Sequence, residues 1–132
     1  MIGVDTNVLL RLFIQDDPNQ NALVTEFFAN RSTGDPAHIS LVVIVELVWA
    51  LGQAYKYGRD RISLVLERML DTADIVVEAH DVVREALPHY ANSKVDLADL
   101  LIAEINRRSG CTTTVTFDKD AAKRIPGMEL LA

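Results

Sequence analysis

Five carboxylates stand in contexts that ask for a reason: Asp5, Glu46, Asp96, Asp99 and Asp118. Asp5 closes a short apolar opening run in Asp5-Thr6-Asn7, and Glu46 interrupts the apolar stretch Val42-Val43-Ile44-Val45-Glu46-Leu47-Val48-Trp49. Asp96 and Asp99 are three residues apart, a spacing that puts both on one helix face. Asp118 follows the β-branched run Thr114-Val115-Thr116-Phe117. Each admits an ordinary reading. Glu46 can reach solvent, pair with an arginine, or face a cleft that holds a cation, because charged side chains are rarely buried alone. Asp5 suits a turn or a helix N-cap, Asp96 an N-cap, Asp99 the dipole-favoured first turn, and Asp118 the cap of the helix after it. Together, with no matching His or Cys set, they form an all-oxygen donor group suited to Mg²⁺ or Mn²⁺ rather than zinc. Such ions activate water and neutralise charge at a phosphoryl centre, often as a pair roughly 4 Å apart.

Charge bears on what such a site could act upon. Thirteen basic and nineteen acidic residues give a net charge of −6 and a pI near 4.9, which by itself argues against a nucleic-acid partner. Setting the five acids aside leaves the remainder at −1, so divalent ions at those acids would offset much of the imbalance and a polyanionic substrate is not excluded.

The elements that must position these residues read as alternating strands and helices. Residues 1–4 read as a buried strand. Helices are predicted over 7–14 and 19–30, the second with Ala22, Leu23, Phe27 and Phe28 inward. A turn at Gly34-Asp35-Pro36 leads to a strand at 37–39. Ser40 then caps a helix over 41–55 that is apolar nearly all round and so expected to be buried on most sides. Asp60 is placed as the cap of a helix to residue 70, Ile75-Val76-Val77 as a strand, and 81–90 as a helix. A helix over 96–108 is closed by Gly110, where a left-handed residue belongs. A strand at 112–117, a short helix at 120–124 and a last strand at 128–131 complete the order. This alternation predicts a parallel sheet covered by helices, with ligands beyond the carboxyl ends of its strands, where Asp5 and Asp118 fall. Trp49, Phe13, Phe27 and Phe28 are assigned to the core. Across 132 residues no linker, repeat or composition shift marks a boundary, so a single domain over 1–132 is expected.

Other classes fall away. Cys111 is the sole cysteine, so neither an internal disulfide framework nor a cysteine-based zinc site can form. No apolar run reaches the roughly 18 residues of a membrane span, and the first residues carry no basic or apolar leader; the expectation is a soluble, cytoplasmic protein without membrane association. His80-Asp81 has no further spaced histidine to complete a phosphohydrolase set and reads as a helix entry. His38 and His89 have no nucleophile arrangement, and no P-loop or GxSxG pattern occurs. Arg107-Arg108, Lys56 with Arg59 and Arg61, and Lys119 with Lys123 and Arg124 are either RNA phosphate contacts or ordinary solvated helix ends.

Asp5-Thr6-Asn7, Glu46-Leu47 in its apolar helix, Asp96-Leu97-Ala98-Asp99-Leu100-Leu101-Ile102-Ala103, and Thr116-Phe117-Asp118-Lys119 together resemble the PIN domain in order and spacing, with the VapC toxins of type II toxin–antitoxin pairs as the nearest subtype. The resemblance spans essentially the whole chain. It implies a three-layer α/β/α sandwich with a central parallel sheet and a Mg²⁺- or Mn²⁺-dependent endoribonuclease. Asp5, Glu46 and Asp99 occupy its metal-binding positions, Asp118 the fourth acid, and Asp96 an additional acid beside or shared with the ligands. Thr6, Asn7 and Thr116 take supporting places, the two hydroxyls orienting carboxylates or water. It further implies an ion-activated water attacking an RNA phosphodiester in line, a homodimer, and an antitoxin whose C-terminal segment occupies a groove near the first helices. The competing expectations are a PIN nuclease of RNA processing that has no antitoxin, and a non-catalytic α/β binding module whose acids are caps and ion pairs.

Overall fold

The structure, a computed structural model, describes residues 1–131. The chain folds as two compact units, Met1–His80 and Asp81–Ala132.

The first unit opens with β1 (Ile2–Gly3), followed by α1 (Thr6–Phe13), α2 (Pro18–Ala29), β2 (Ala37–Ile39), α3 (Leu41–Gln53), α4 (Arg59–Leu70) and β3 (Ile75–Val77). Its strands pair in parallel in the order β1-β2-β3, with Ile2 opposite Ala37 and Ala37 opposite Ile75. Each pair of neighbouring strands is joined through two helices, the kind of long crossover that parallel pairing requires. Leu9, Ile39, Ile44, Leu47, Leu51 and Leu66 are fully enclosed and form its core.

Local chemistry sets the helix starts. Asp17 accepts from Gln20 N at 3.1 Å, with Pro18 as the first residue of α2, where its missing N–H costs nothing. Ser40 Oγ accepts from Val43 N at 3.3 Å, and Glu78, just beyond β3, accepts from Leu41 N at 2.8 Å. Two of the orphan amides of α3 are thus met, one by its own cap and one by a carboxylate distant in sequence.

Four expectations are corrected here. β1 is two residues long with Ile2 exposed; only Val4, bonded through its N–H to His38 O at 3.0 Å, is buried from that opening run. In α2 the inward residue is Val24, while Ala22 and Leu23 face out. The Asn21 amide donates to Arg11 O and Ile14 O at 2.7 and 2.9 Å, and this pin sets the helix phase so that the position three residues on turns inward. Phe27 and Phe28 are half-buried in an edge-to-face pair. Gly58, not Asp60, caps α4: a Cβ at Gly58 would lie 2.9 Å from Asp60 Oδ1, so the side-chain-free residue takes the cap and Asp60 the first turn. Finally, α3 is covered on one side only. Val43, Ile44, Leu47, Val48 and Leu51 are buried, whereas Val42 and Trp49 are each 68% exposed on the same stripe as Glu46, so Trp49 is not a core residue.

The second unit comprises α5 (His80–Ala91), which begins on the last residue of the first unit, then α6 (Leu97–Arg108), β4 (Thr114–Thr116), α7 (Lys119–Arg124) and β5 (Met128–Leu130). β4 and β5 pair in parallel with Thr114 opposite Met128, and Val83 and Leu97 are its most enclosed side chains. α6 ends in a paired-bond cap: Gly110, at φ +95°, donates to Arg107 O at 3.1 Å, and Cys111 donates to Asn106 O at 3.0 Å. Mixed α/β structure with parallel strands is therefore what the hydrophobic alternation builds, and no helix among the described residues is long and apolar enough to cross a membrane.

Candidate functional site

The sequence-predicted residues of the first unit gather where β1 hands over to α1. Asp5 occupies the N-cap position of α1 and its carbonyl accepts from Val8 N and Leu9 N, both at 3.1 Å, yet its carboxylate makes no capping bond. The backbone does the work of starting the helix and the exposed acid is left for something else. Thr6, the next residue, donates its hydroxyl to Glu46 Oε1 at 2.9 Å. That bond ties the start of α1 to the middle of α3, two helices that pack on each other. Glu46 is exposed among apolar neighbours because its stripe of α3 is the uncovered one. Asn7 turns elsewhere: with Val8, Arg11, Gln20, Leu23 and Val24 it lines a groove of about 210 Å³ between α1 and α2.

In the second unit Asp96, Asp99 and Asp118 line one polar cavity of about 240 Å³, together with Lys94, Asp120 and Arg124. Asp96 sits at the N-cap position of α6 without a side-chain capping bond, and Asp99 is half-buried one turn on. Asp118 has a structural duty as well: its Oδ1 accepts from Ala121 N at 3.0 Å to cap α7. Its own N–H donates to Thr116 Oγ1 at 3.0 Å, so Thr116 fixes the turn that aims Asp118. The helix-cap reading of Asp118 is thus correct for one oxygen, and Oδ2 has no partner among the described residues. Burial, then the charges of Asp96 and Asp118, hold the Asp99 carboxyl above its ordinary value. Four carboxylates line this pocket against two cationic side chains, Lys94 and Arg124, and a divalent cation would relieve the repulsion at Asp99. The donors are carboxylate oxygens throughout, the chemistry of a hard divalent ion. Among the described residues, however, no three His, Cys, Asp or Glu side chains are gathered into a set that could hold a metal ion.

Sequence reasoning passed over Asp120, Lys94 and Glu78. Asp120 was legible in principle, two residues past Asp118 in the first turn of a short helix; Lys94 lies in an irregular segment with no pattern to flag it, and Glu78 acts as a cap on a helix far from it in sequence. The basic clusters divide sharply. Arg108 is bound by Asp81, Glu85 and Glu104, and Arg107 by Glu104, whose carboxyl is drawn down to about 2 by these two guanidinium groups. Arg61 stacks 3.8 Å over the Tyr57 ring. Lys119, Lys123 and Arg124 have no ion-pair partner among the described residues. His80 contacts Leu70 O through Nε2 at 2.9 Å and Asp81 is an arginine partner, so the His80-Asp81 dipeptide is structural, as a helix entry should be.

Comparison with known proteins adds an independent line. The family model of the PIN domain matches residues 2–127. A protein of Aquifex aeolicus (strain VF5) described as "VapC ribonuclease" is 29% identical over 117 residues, which cover 88% of this chain and 86% of that protein.

Proposed function

Because the chain belongs to the PIN-domain family, we propose that it is a VapC-like endoribonuclease dependent on Mg²⁺ or Mn²⁺, the toxin of a type II toxin–antitoxin pair acting in the cytoplasm. The match runs through both compact units, which supports reading residues 1–132 as one PIN domain. The observation that supports the reading is the acid pocket of the second unit, where burial and then the charges of Asp96 and Asp118 make Asp99 harder to ionise.

By the family's pattern, Asp5 and Glu46 of the first unit and Asp99 and Asp118 of the second would hold the ion, with Asp96 as an additional acid. A bound divalent ion supplies a water polarised enough to attack at neutral pH and positive charge for the phosphoryl centre. The chain's own residues do the positioning. Thr6 holds one oxygen of Glu46 and leaves the other for ligation. α7 and Thr116 hold Asp118 so that Oδ2 alone is offered. Asp5 presents a carboxylate that its helix does not consume. Preorganised side chains of this kind lower the reorganisation needed when charge develops. With water as nucleophile the RNA 2′-OH is a bystander, so the products carry a 5′-phosphate and a 3′-hydroxyl.

Partner binding fits surfaces the fold leaves open. The α1–α2 groove, with Leu23 67% exposed at its edge, suits an apolar antitoxin segment, and the Val42–Trp49 stripe of α3 suits a second copy of the chain. A basic partner is favoured by the net charge of −6.

The test is cleavage of a mixed-sequence RNA with Mn²⁺. Activity lost in EDTA and in Asp5→Ala and Glu46→Gln, with unchanged circular dichroism, supports the assignment. Undiminished activity in EDTA with a cyclic phosphate terminus overturns it. An antitoxin-free RNA-processing nuclease would behave identically here, and differs in having no DNA-binding partner encoded beside it.

A further inference from the structure

Phe117 is the most exposed large apolar side chain among the described residues, at 79%, and it stands between the two residues that organise the acid pocket. Thr116 on one side bonds the Asp118 amide, and its own carbonyl accepts from Leu131 N at 2.9 Å; Asp118 on the other side caps α7. The backbone at Phe117 is therefore fixed from both directions, and the ring is displayed to water rather than folded away. Water is a poor environment for a phenyl ring, and nothing in the turn requires an aromatic residue there.

The charges around it point to what the ring is for. Lys119 and Lys123 are exposed four residues apart on one face of α7, and Arg124 lines the acid cavity. None has an ion-pair partner among the described residues, whereas Arg107 and Arg108 are consumed by Glu104, Asp81 and Glu85. An exposed π-face beside unpaired cations is the combination used to hold single-stranded nucleic acid: the ring stacks a base and the cations meet its phosphates. A purely apolar protein partner would instead have to desolvate these cations.

Resting on the ribonuclease reading above, we propose that Phe117 is a stacking platform for an unpaired RNA base next to the cleaved phosphate, with Lys119 and Lys123 holding the adjoining backbone, so that this face selects single-stranded over duplex RNA. Bases within an A-form duplex present no free face, which makes the selection a direct consequence of the contact.

The experiment is fluorescence anisotropy of a 5′-labelled, mixed-sequence 12-mer RNA, alone or annealed to its complement. Full-length protein is used, in a Glu46→Gln background so that the probe survives in Mg²⁺. The unmodified background is expected to prefer the single strand. Phe117→Ala and Phe117→Leu should each weaken single-strand binding about tenfold, the scale of one base–aromatic stack, and leave duplex binding unchanged. Phe117→Trp should restore it, and Lys119→Ala with Lys123→Ala should flatten the dependence of log affinity on log salt by about 0.7 per lysine. Val115, exposed in the preceding strand β4, carries no ring, so Val115→Thr should have no effect. Equal binding by Phe117→Ala overturns the inference while leaving the nuclease intact. No binding of either RNA by the background protein, or continued cleavage despite Glu46→Gln, fails the ribonuclease reading itself. Loss of self-association in sedimentation by both Phe117→Ala and Val115→Thr makes this face an interface between copies and overturns the stacking role.

Discussion

Asp99→Asn separates two opposite consequences of the acid pocket. Without an ion, Asp99 is a liability: burial and the Asp96 and Asp118 charges raise its proton affinity in the folded chain. A carboxyl raised on folding contributes stability below its unfolded value, about 3.9, and that contribution is lost as pH rises through the folded value. At pH 7 the ion-free wild type therefore carries the repulsion in full, and asparagine, similar in shape and uncharged, removes it. The group is partly solvated, so the gain is that of a screened pair, roughly 0.2–1 kcal/mol. With an entropy of unfolding near 2.1 cal/mol/K per residue, that is up to about 4 °C in Tm for a chain of 132 residues. With Mn²⁺ at a hundred times its Kd the order inverts. An ion that binds only the native state adds about 2.7 kcal/mol, or about 10 °C, to the wild type and little to Asp99→Asn. The assay is thermal melting followed by circular dichroism at pH 7, in EDTA and across a Mn²⁺ titration. A variant less stable than wild type in EDTA, or one that keeps the full Mn²⁺ gain, refutes the argument that these acids are strained for want of a cation.

Three further outcomes follow from particular bonds. Thr6→Val should leave the melting temperature within about 2 °C but lower kcat, because Glu46 loses the one side-chain bond it has among the described residues, and Thr6→Ser should restore it in the RNA cleavage assay. Gly110→Ala forces a side chain into φ +95° at the end of α6 and should cost about 1 kcal/mol, read as a lower urea midpoint with unchanged slope. Glu104, drawn down to about 2 from 4.5 by Arg107 and Arg108, contributes stability that is present above pH 4.5 and lost as pH falls toward 2; Glu104→Gln should abolish that stretch of the acid-unfolding curve, and 1 M salt should shrink it in the wild type.

Legibility in the sequence tracked the range of the interaction that decides each feature. Ser40 capping α3 and Gly110 closing α6 depend on neighbours within a few residues, and the sequence shows those neighbours. What it could not show is which face of an evenly apolar segment is covered. In α3 the open stripe Val42–Glu46–Trp49 and the covered stripe Ile44–Leu47–Leu51 both carry large apolar side chains; Glu46 is the one mark of the open face, and α1 and α4 pack against the helix. The assignment of Trp49 to the core fails for this reason, since it lies on the open stripe. The phase of α2 turned on Asn21 reaching back to two carbonyls of the preceding segment, a long-range bond in a residue that reads as ordinary surface.

The acids show the same division from the functional side. For Asp5, the cap position was legible, but not that its carboxylate would stay out of the cap; for Asp118, the cap and the candidate ligand turn out to be different oxygens of one side chain. A residue can thus satisfy its ordinary structural reading and still be available for chemistry, so the two readings of Asp118 were never exclusive. Glu46 makes the converse point. Its charge in an apolar run left three outcomes, solvent, an arginine or a cleft; the structure exposes it and supplies a hydroxyl, Thr6, that steadies one oxygen without neutralising it. A neutral donor is what a carboxylate kept for a cation requires, since an arginine there would hold the same geometry while cancelling the charge the ion must meet. Thr6→Arg tests this directly: it should keep Glu46 bonded, yet abolish Mn²⁺-dependent stabilisation and cleavage alike, whereas cleavage surviving that substitution would show that the charge of Glu46 is not what the site uses.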